Sequence, residues 1–259
     1  MKLTNQNYYS QEANKIYMSV SQLKSFMKCE AAAMAELRGE YVRPQTTALL
    51  VGSYVDAWFE GTLDIFKQAH QQIFKRDGAL KADYVQAESI IERVQRDNLF
   101  MEYMNGEKQV IKTGEVYGVP FKIKMDSYHP SSKIVDLKIM REMHPIMGKS
   151  FVEHWGYDIQ GAIYREVEGN GLPFYLAVAT KEDETDIAIL HIPHERLNEV
   201  MWSIKPKIER AALVKSGKVE PIRCGVCPYC RATKVLAEPI DYELAGLSTE
   251  EIKSMRGEW

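Results

Sequence analysis

Two aspartates and a lysine lie close together around a turn, and residues of these types can bind a divalent cation and a phosphate. Asp126 precedes the turn, and Asp136 and Lys138 follow it. Polar and apolar residues alternate over 121–126, a Pro-Ser-Ser turn signal follows, and a second strand is predicted over 134–139. The sequence therefore predicts a β-hairpin that carries both carboxylates and the amine.

The chemistry of this hairpin depends on its register. Side chains two apart on a strand share a face, so Asp136 and Lys138 lie together. Asp126 joins them if it opposes Asp136, which requires Tyr128 to oppose Ile134. Directly opposed Cβ atoms are about 4.5–5.5 Å apart, so the two carboxylates repel unless a cation lies between them. The alternative is that these residues are solvated side chains on an outer sheet face.

Hard oxygen ligands of this kind favour Mg²⁺ or Mn²⁺. Such an ion lowers the pKa of a bound water, orients that water and neutralises charge on a scissile phosphate. Lys138 stays protonated beside two carboxylates and can stabilise a pentavalent transition state. The hairpin therefore points to phosphodiester chemistry.

Two predicted helices offer further polar groups. Asp56 lies on a helix predicted from Thr47 to Glu60, and its carboxylate could add a metal ligand. Gln160 and Tyr164 are four apart on a helix predicted over 148–167, and so share one face. Taken alone, each set could equally be a solvated or half-buried helix face.

The order of these motifs resembles the PD-(D/E)xK nucleases of the RecB, RecE and lambda-exonuclease type. It consists of Gly52-x-x-x-Asp56, then Asp126, then Asp136-x-Lys138, then Gln160-x-x-x-Tyr164. The resemblance implies a restriction-endonuclease-like core, and it implies that Asp56, Asp126 and Asp136 bind the metal. By the same resemblance Lys138 is the catalytic lysine, and Gln160 and Tyr164 brace the active site and contact DNA. The chain departs from the family at Asp56, where histidine is usual, and at Ile139, where a small hydroxyl residue often follows the lysine.

The four cysteines form a second motif. Cys224, Cys227 and Cys230 make a C-x₂-C-x₂-C run, and Cys29 lies near the other end of the chain. The tight run is typical of a [4Fe–4S] cluster, and Zn²⁺ also accepts four thiolates. We expect a four-thiolate metal site and favour the cluster because the paired spacing of a zinc ribbon is absent. The alternative is that Cys29 is a core thiol and the other three bind zinc or nothing.

This arrangement of cysteines also resembles one branch of the same nucleases. The AddB nuclease domain and CRISPR-associated exonucleases place one cysteine before the nuclease core and three after it. The resemblance implies a structural metal that joins the N- and C-terminal segments. The gap between Cys227 and Cys230 is shorter than in that branch, so the number of cysteines matches better than their spacing.

Composition limits where the protein works and what it binds. The formal net charge of the 259 residues is −3, so DNA must be bound by a local basic patch rather than by the field of the whole molecule. The polar N-terminus predicts no signal peptide, and no apolar run approaches the length of a membrane span. We therefore expect a cytoplasmic protein with no membrane contact.

Basic residues cluster in two places that could bind DNA phosphates. Near the hairpin they are Lys122, Lys124 and Arg141, and the two lysines share the face of Asp126 if alternation holds. Near the cysteine run they are Lys205, Lys207, Arg210, Lys215, Lys218, Arg223 and Arg231. Phosphate contacts of this kind give salt-dependent binding without sequence preference. A solvated helix face is the alternative for the second group.

The predicted fold is a mixed α/β domain with a central mixed sheet flanked by helices. We predict a helix over 20–38 that buries Leu23, Phe26 and Met27, and mostly helical structure over 65–104. Strands are predicted over 174–179 and 186–192, followed by a helix over 193–215 and a weakly patterned tail from 232 to 259. No linker divides the chain, which predicts one domain: an N-terminal part (1–47), a nuclease core (48–215) and a C-terminal cysteine segment (216–259).

These features together predict a metal-dependent DNA exonuclease of the kind found in phage recombination, acting on duplex ends or single strands. A single-strand annealing protein is a possible partner, and a homo-oligomer is a possible assembly. The alternative from another class is a non-catalytic nucleic-acid-binding scaffold that keeps the fold and the cysteine site, for which Asp56 and Ile139 are the best support.

Overall fold

The computed structural model describes residues 1–236, 239 and 241–256. Its helices and strands, in chain order, are α1 (Gln11–Ile16), α2 (Val20–Lys28), α3 (Glu30–Arg38), α4 (Thr47–Phe59), α5 (Leu63–Ala69), α6 (Ala82–Gln95), α7 (Asn98–Tyr103), β1 (Glu107–Val116), β2 (Val119–His129), β3 (Lys133–Met140), α8 (Phe151–His154), α9 (Tyr157–Glu168), β4 (Phe174–Thr180), β5 (Ile187–Ile192), α10 (His194–Lys215), α11 (Pro228–Ala232) and α12 (Thr249–Arg256). Among these described residues, no helix is both long enough and apolar enough to span a membrane.

The chain forms two compact units. Unit 1 comprises Met1–Arg43, Glu115–Phe121 and Ile204–Trp259, and unit 2 comprises Pro44–Gly114 and Lys122–Ser203. The candidate catalytic residues all belong to unit 2, and the four cysteines all belong to unit 1. The organisation of residues 1–259 as one nuclease-like domain stays a prediction.

A five-stranded sheet has the order β1-β2-β3-β4-β5. Strand β3 is antiparallel to β2 and parallel to β4, and β4 is antiparallel to β5. A parallel pair needs a crossover connection, which α8 and α9 provide between β3 and β4. The predicted mixed sheet flanked by helices is confirmed.

Alternation along β3 divides its residues between an apolar face and the candidate site. Val135 and Leu137 are buried against the core formed with α4 and α6, where Val55 and Ile90 are fully buried. Each such aliphatic side chain contributes roughly 1.5–3 kcal/mol when it is removed from water. Asp136 and Lys138, which alternate with them along the strand, point to its opposite face.

Two predicted helices are each broken in two. The helix predicted over 20–38 is interrupted at Cys29, whose backbone is extended at φ −165° and ψ 107°. The helix predicted over 148–167 is interrupted at Gly156, which adopts a left-handed conformation at φ 62°. Helical periodicity continues across both breaks, so the apolar pattern alone did not reveal them.

The first predicted helix also differs in what it buries. Leu23 and Phe26 are buried as predicted, but 41% of Met27 is exposed. Helix α2 ends one residue later, at Lys28.

The region predicted as mostly helical over 65–104 contains α5, α6 and α7 with a 3₁₀ turn at Gln71–Ile73. Strand β1 follows and was not predicted, because residues 107–116 lack a clean alternation of apolar and polar side chains. A tight turn joins β1 to β2 through Tyr117 and Gly118, with φ of 51° and 75°. Two consecutive residues with positive φ are typical of a two-residue hairpin.

The remaining elements agree with the predictions to within a few residues. Strands β2 to β5 and helices α4 and α10 lie where the patterns placed them. The weakly patterned tail contains α12, and the backbone N–H of Thr249 donates to the carbonyl of Cys224 at 3.1 Å. The tail positions 237, 238, 240 and 257–259 lie outside the described residues.

Candidate functional site

The β2–β3 hairpin has the register on which the chemistry depends. Tyr128 opposes Ile134, which is the pairing that a shared face for Asp126 and Asp136 requires, and Ser127 opposes Val135. One position further on, the Asp126 carboxylate accepts a 2.9 Å hydrogen bond from the backbone N–H of Leu137. The side chain of Asp126 is thus directed onto β3, one residue from Asp136.

Lys138 and Asp136 form a buried ion pair. The ammonium donates to the Asp136 carboxylate and to the Leu137 carbonyl, the latter at 3.3 Å. It also lies 5.0 Å from the centre of the Tyr157 ring. Burial disfavours the charge on Lys138, but Asp136 and Asp126 outweigh that effect and raise its pKa above the ordinary value. Lys138 is therefore a protonated donor held among acids.

Asp56 of α4 belongs to the same electrostatic site. Burial, followed by the charges of Asp126 and Asp136, raises the pKa of Asp56 well above its ordinary value, and Lys138 opposes the shift. Burial and Asp136 likewise raise the pKa of Asp126 to about 7. When all three acids ionise beside one ammonium they leave excess negative charge, which a bound cation relieves.

Helix α9 braces both strands of the hairpin. The Gln160 amide donates to the Asp136 carboxylate at 2.6 Å, and the Tyr164 hydroxyl donates to the Lys124 carbonyl at 3.0 Å. Gly161 allows the close approach, because a Cβ there would lie 2.6 Å from the Phe174 ring of β4. The predicted pair on one helix face is therefore brought onto β3 and β2.

The donor set fits a hard divalent cation. Asp56, Asp126 and Asp136 supply carboxylate oxygens, and burial together with their mutual repulsion raises the pKa values of Asp56 and Asp126. Each oxygen of Asp136 receives one protein donor, Lys138 or Gln160, which leaves a second lone pair for a metal. Oxygen ligands with this charge are those that Mg²⁺ and Mn²⁺ prefer.

Three residues around the site were missed by the sequence reasoning. Gln109 of β1 donates from its amide to the Asp126 carboxylate at 3.2 Å. Lys108 precedes it, and burial lowers the pKa of Lys108 although the charge of Asp126 opposes the shift. Tyr157 lies over Lys138 and donates from its hydroxyl to the sulfur of Met140 at 3.1 Å. The Tyr117-Gly118 turn was the one signal that could have revealed β1.

The predicted DNA contacts in unit 2 differ in their accessibility. Lys122 is 1% exposed, so it lies inside the fold rather than on the surface that the prediction required, and burial lowers its pKa to about 8. Its neighbours Phe121 and Ile123 are also buried, so the alternation expected across β2 fails here. Lys124 is half-buried and Arg141 is exposed.

Four of the predicted DNA contacts in unit 1 lie on α10, namely Lys205, Lys207, Arg210 and Lys215. Lys207 is exposed, whereas Lys205 is half-buried, with its amine 3.9 Å from Glu209 and 5.4 Å from the centre of the Tyr117 ring. Arg210, counted in the same basic group, instead makes paired hydrogen bonds of 2.9 and 2.8 Å to Glu30. Part of this positive charge therefore holds unit 1 together.

Unit 1 brings the four cysteines together as predicted. All four are free thiols, and their sulfur atoms lie within 4.8 Å of one another. The sulfur of Cys230 is 3.5 Å from that of Cys29 and 3.9 Å from that of Cys224. The helix break at Cys29 is what turns this side chain towards the C-terminal run. The donor set fits a four-thiolate metal site.

Backbone N–H groups support the sulfur atoms. The N–H of Cys227 donates to the sulfur of Cys224, and the N–H of Cys230 donates to the sulfur of Cys227, both at 3.4 Å. Burial raises the pKa of Cys230 to about 12, whereas for Cys224 these hydrogen bonds outweigh burial and lower the pKa to about 7. Arg223 ties the run together by donating to the Cys230 carbonyl at 3.0 Å.

The fold and the acidic site define the class of protein, and the sequence comparison agrees. Residues 19–233 match the family described as "PDDEXK-like domain of unknown function (DUF3799)". The chain belongs to this family and thus to the PD-(D/E)xK nuclease superfamily. The resemblance noted from the motifs is confirmed at this level.

A solved structure gives a more particular relationship. The crystal structure of a protein from Eubacterium rectale, described as "Putative exonuclease", is 48% identical in sequence, with a TM-score of 0.91 over 95% of this chain and 98% of that one. A second solved structure, SSO0001, is 16% identical over 73% of this chain and 84% of that one, and its TM-score of 0.30 carries no argument. None of the curated proteins matches this sequence significantly.

Proposed function

We propose that this protein is a divalent-metal-dependent deoxyribonuclease that hydrolyses phosphodiester bonds at DNA ends. The observation that carries the proposal is the convergence of Asp136, Lys138 and Gln160 through direct hydrogen bonds, with Asp56 and Asp126 acting electrostatically on the same ammonium. Family membership and the 48% identical protein described as an exonuclease support the same reaction.

The residues have distinct roles in this proposal. Asp56, Asp126 and Asp136 would hold Mg²⁺ or Mn²⁺, which when bound activates a water and neutralises charge on the scissile phosphate. Lys138 keeps its proton and offers an N–H donor to the phosphate oxygens as their charge grows in the transition state. Gln160 fixes the Asp136 carboxylate, and Tyr164 fixes the backbone of β2 at Lys124.

DNA would be held through its phosphates. Lys124 and Arg141 are the accessible cations of unit 2 nearest in sequence to the site, and Lys205 and Lys207 are the candidates in unit 1. Binding should be sequence-independent and should weaken as salt rises. The biological setting that we propose is the trimming of DNA ends in phage-type recombination. A single-strand annealing protein would be the partner. The protein would be a homo-oligomer and would act in the cytoplasm.

The first experiment tests catalysis. Linear plasmid DNA should be degraded in Mg²⁺ or Mn²⁺, and Lys138→Ala should lower the rate at least about 100-fold, as expected for loss of a transition-state donor. Lys133→Ala is the matched control, because Lys133 lies on the same strand but pairs with Glu102. Both variants should remain folded and bind DNA. A wild-type protein that binds DNA but never cuts it would favour the scaffold alternative.

For the cysteine site we propose a structural metal centre. The C-x₂-C-x₂-C run favours [4Fe–4S], whereas sulfur separations of 3.5 and 3.9 Å are close to the roughly 3.8 Å expected around a single tetrahedral Zn²⁺ with bonds of about 2.3 Å. From these distances we propose that the four cysteines bind a single metal ion. Metal analysis of anaerobically purified protein distinguishes about one zinc from about four iron per chain.

A further inference from the structure

Gln109 has a backbone conformation that side chains other than glycine rarely adopt. Its φ is +53°, in the left-handed region, although it lies in strand β1. Residues with such backbone strain persist only where the surrounding structure holds them, and they cluster at functional sites. The conformation therefore calls for an explanation at this position.

Neighbouring contacts hold the start of β1 in place. The N–H of Gly106 donates to the Ser127 hydroxyl at 2.8 Å, and that hydroxyl donates to the Tyr103 carbonyl at 2.9 Å. A Cβ on Gly106 would lie 2.6 Å from the Tyr128 carbonyl, so the two strands meet here without room for a side chain. Gln109 is thereby fixed beside β2 at the level of Asp126.

Only one of the two polar atoms in the Gln109 side chain has a hydrogen-bond partner among the residues that the structure describes. Its Nε2 donates to Asp126 Oδ1 at 3.2 Å, while its buried Oε1 accepts no hydrogen bond from any residue that the structure describes. The ionised carboxylate that binds a cation can only accept, so in that form the amide nitrogen faces Asp126 and the oxygen remains the acceptor. A buried acceptor without a donor is costly, and a hydrated cation carries water donors to such a place.

We propose that Gln109 is a positioning residue for metal binding by Asp126. Its Nε2 fixes the direction of the Asp126 carboxylate, whose other oxygen is fixed by the Leu137 N–H. Its Oε1 accepts a hydrogen bond from water that accompanies the divalent cation. This inference rests on the proposed function, in that the aspartates bind a divalent cation.

The test measures Mn²⁺ affinity by calorimetry on the full chain, without DNA and without turnover. Gln109→Met keeps the length and the backbone strain but removes the amide, and Gln109→Gly removes the amide and the strain together. Both should bind Mn²⁺ about tenfold more weakly than wild type, as is typical when a partner of a metal ligand is lost. Gln109→Gly should unfold at or above the wild-type temperature in the absence of Mn²⁺, because glycine accepts positive φ.

Met147→Gly is the matched control. Met147 has a similar φ of 50° but is 93% exposed, so glycine relieves the same strain away from the carboxylates and should leave Mn²⁺ affinity unchanged. Wild-type affinity in Gln109→Met would overturn this inference and leave the metal site standing. If the wild type itself shows no Mn²⁺ binding that Asp136→Asn abolishes, the metal site of the proposed function is wrong and the inference falls with it.

Discussion

The side-chain amide of Gln160 lies 2.6 Å from Asp136 Oδ1 and joins helix α9 to the strand that carries Lys138. This hydrogen bond places a neutral donor on a carboxylate whose other oxygen receives the lysine. The orientation of Asp136 therefore depends on a residue 24 positions later in the chain.

Removing that donor should impair catalysis more than folding. We expect Gln160→Ala to lower the rate of DNA degradation about 10- to 100-fold, the usual effect of losing a residue that orients a metal ligand. Thermal unfolding should stay near wild type because Gln160 is half-buried. Gln95→Ala, at an exposed position at the end of α6, is the control. Equal rates for wild type and Gln160→Ala would show that Asp136 needs no such brace.

Metal binding should depend on pH near neutrality. The pKa of Asp126 is raised to about 7 in the folded protein. Protonation of Asp126 therefore stabilises the metal-free folded state. This stabilisation is fully present below about pH 4 and is lost as pH rises through 7. Mn²⁺ requires the ionised form, so its affinity should be about tenfold higher at pH 8 than at pH 6. Calorimetry at the two pH values measures this. An affinity that is flat over this range would contradict the raised pKa.

Glu168 should be one of the main stabilising charges of unit 2. Its buried carboxylate accepts hydrogen bonds from Lys112 at 2.9 Å and from the Tyr128 hydroxyl at 2.8 Å. These hydrogen bonds, with those from Asn170, outweigh burial and lower its pKa to about 2. The stabilisation is thus present above the ordinary glutamate pKa and is lost as pH falls through 2. Glu168→Gln should lower the free energy of unfolding by about 2–4 kcal/mol, measured by urea denaturation.

The control for Glu168 is Glu102→Gln. Glu102 pairs with Lys133 at 3.2 Å, but its side chain is 65% exposed. Exposed pairs contribute about 0–1 kcal/mol, so this variant should unfold close to wild type. Similar losses in the two variants would contradict the role given to burial.

Two helical glycines should respond to alanine in opposite directions. Gly161→Ala places a Cβ 2.6 Å from the Phe174 ring and 3.0 Å from Leu197, so α9 must shift and the protein should lose about 1–3 kcal/mol of stability. Gly52→Ala meets nothing within 4 Å and should gain about 0.5–1 kcal/mol from helix propensity. Urea denaturation of both variants checks the signs. A stabilised Gly161→Ala would show that α9 does not lie this close to β4.

Much of the arrangement could be predicted because it follows from local backbone geometry. Asp136 and Lys138 share a face because strand side chains alternate, and Gln160 and Tyr164 share a face because a helix repeats every 3.6 residues. The sequence located the turn of the hairpin but left its register as a condition. The mixed sheet was predictable from the patterns, and the cysteine spacing led us to expect a shared metal site.

What the sequence by itself determined about this protein is which side chains lie beside one another within a strand or helix. Only the tertiary structure decided that Lys122 is covered, that Cys29 breaks a helix, and that Gln109 reaches Asp126. Periodicity specifies the two faces of an element but not which of them another segment will cover. Those contacts join residues far apart in the chain, and they depend on how distant segments pack rather than on any local repeat.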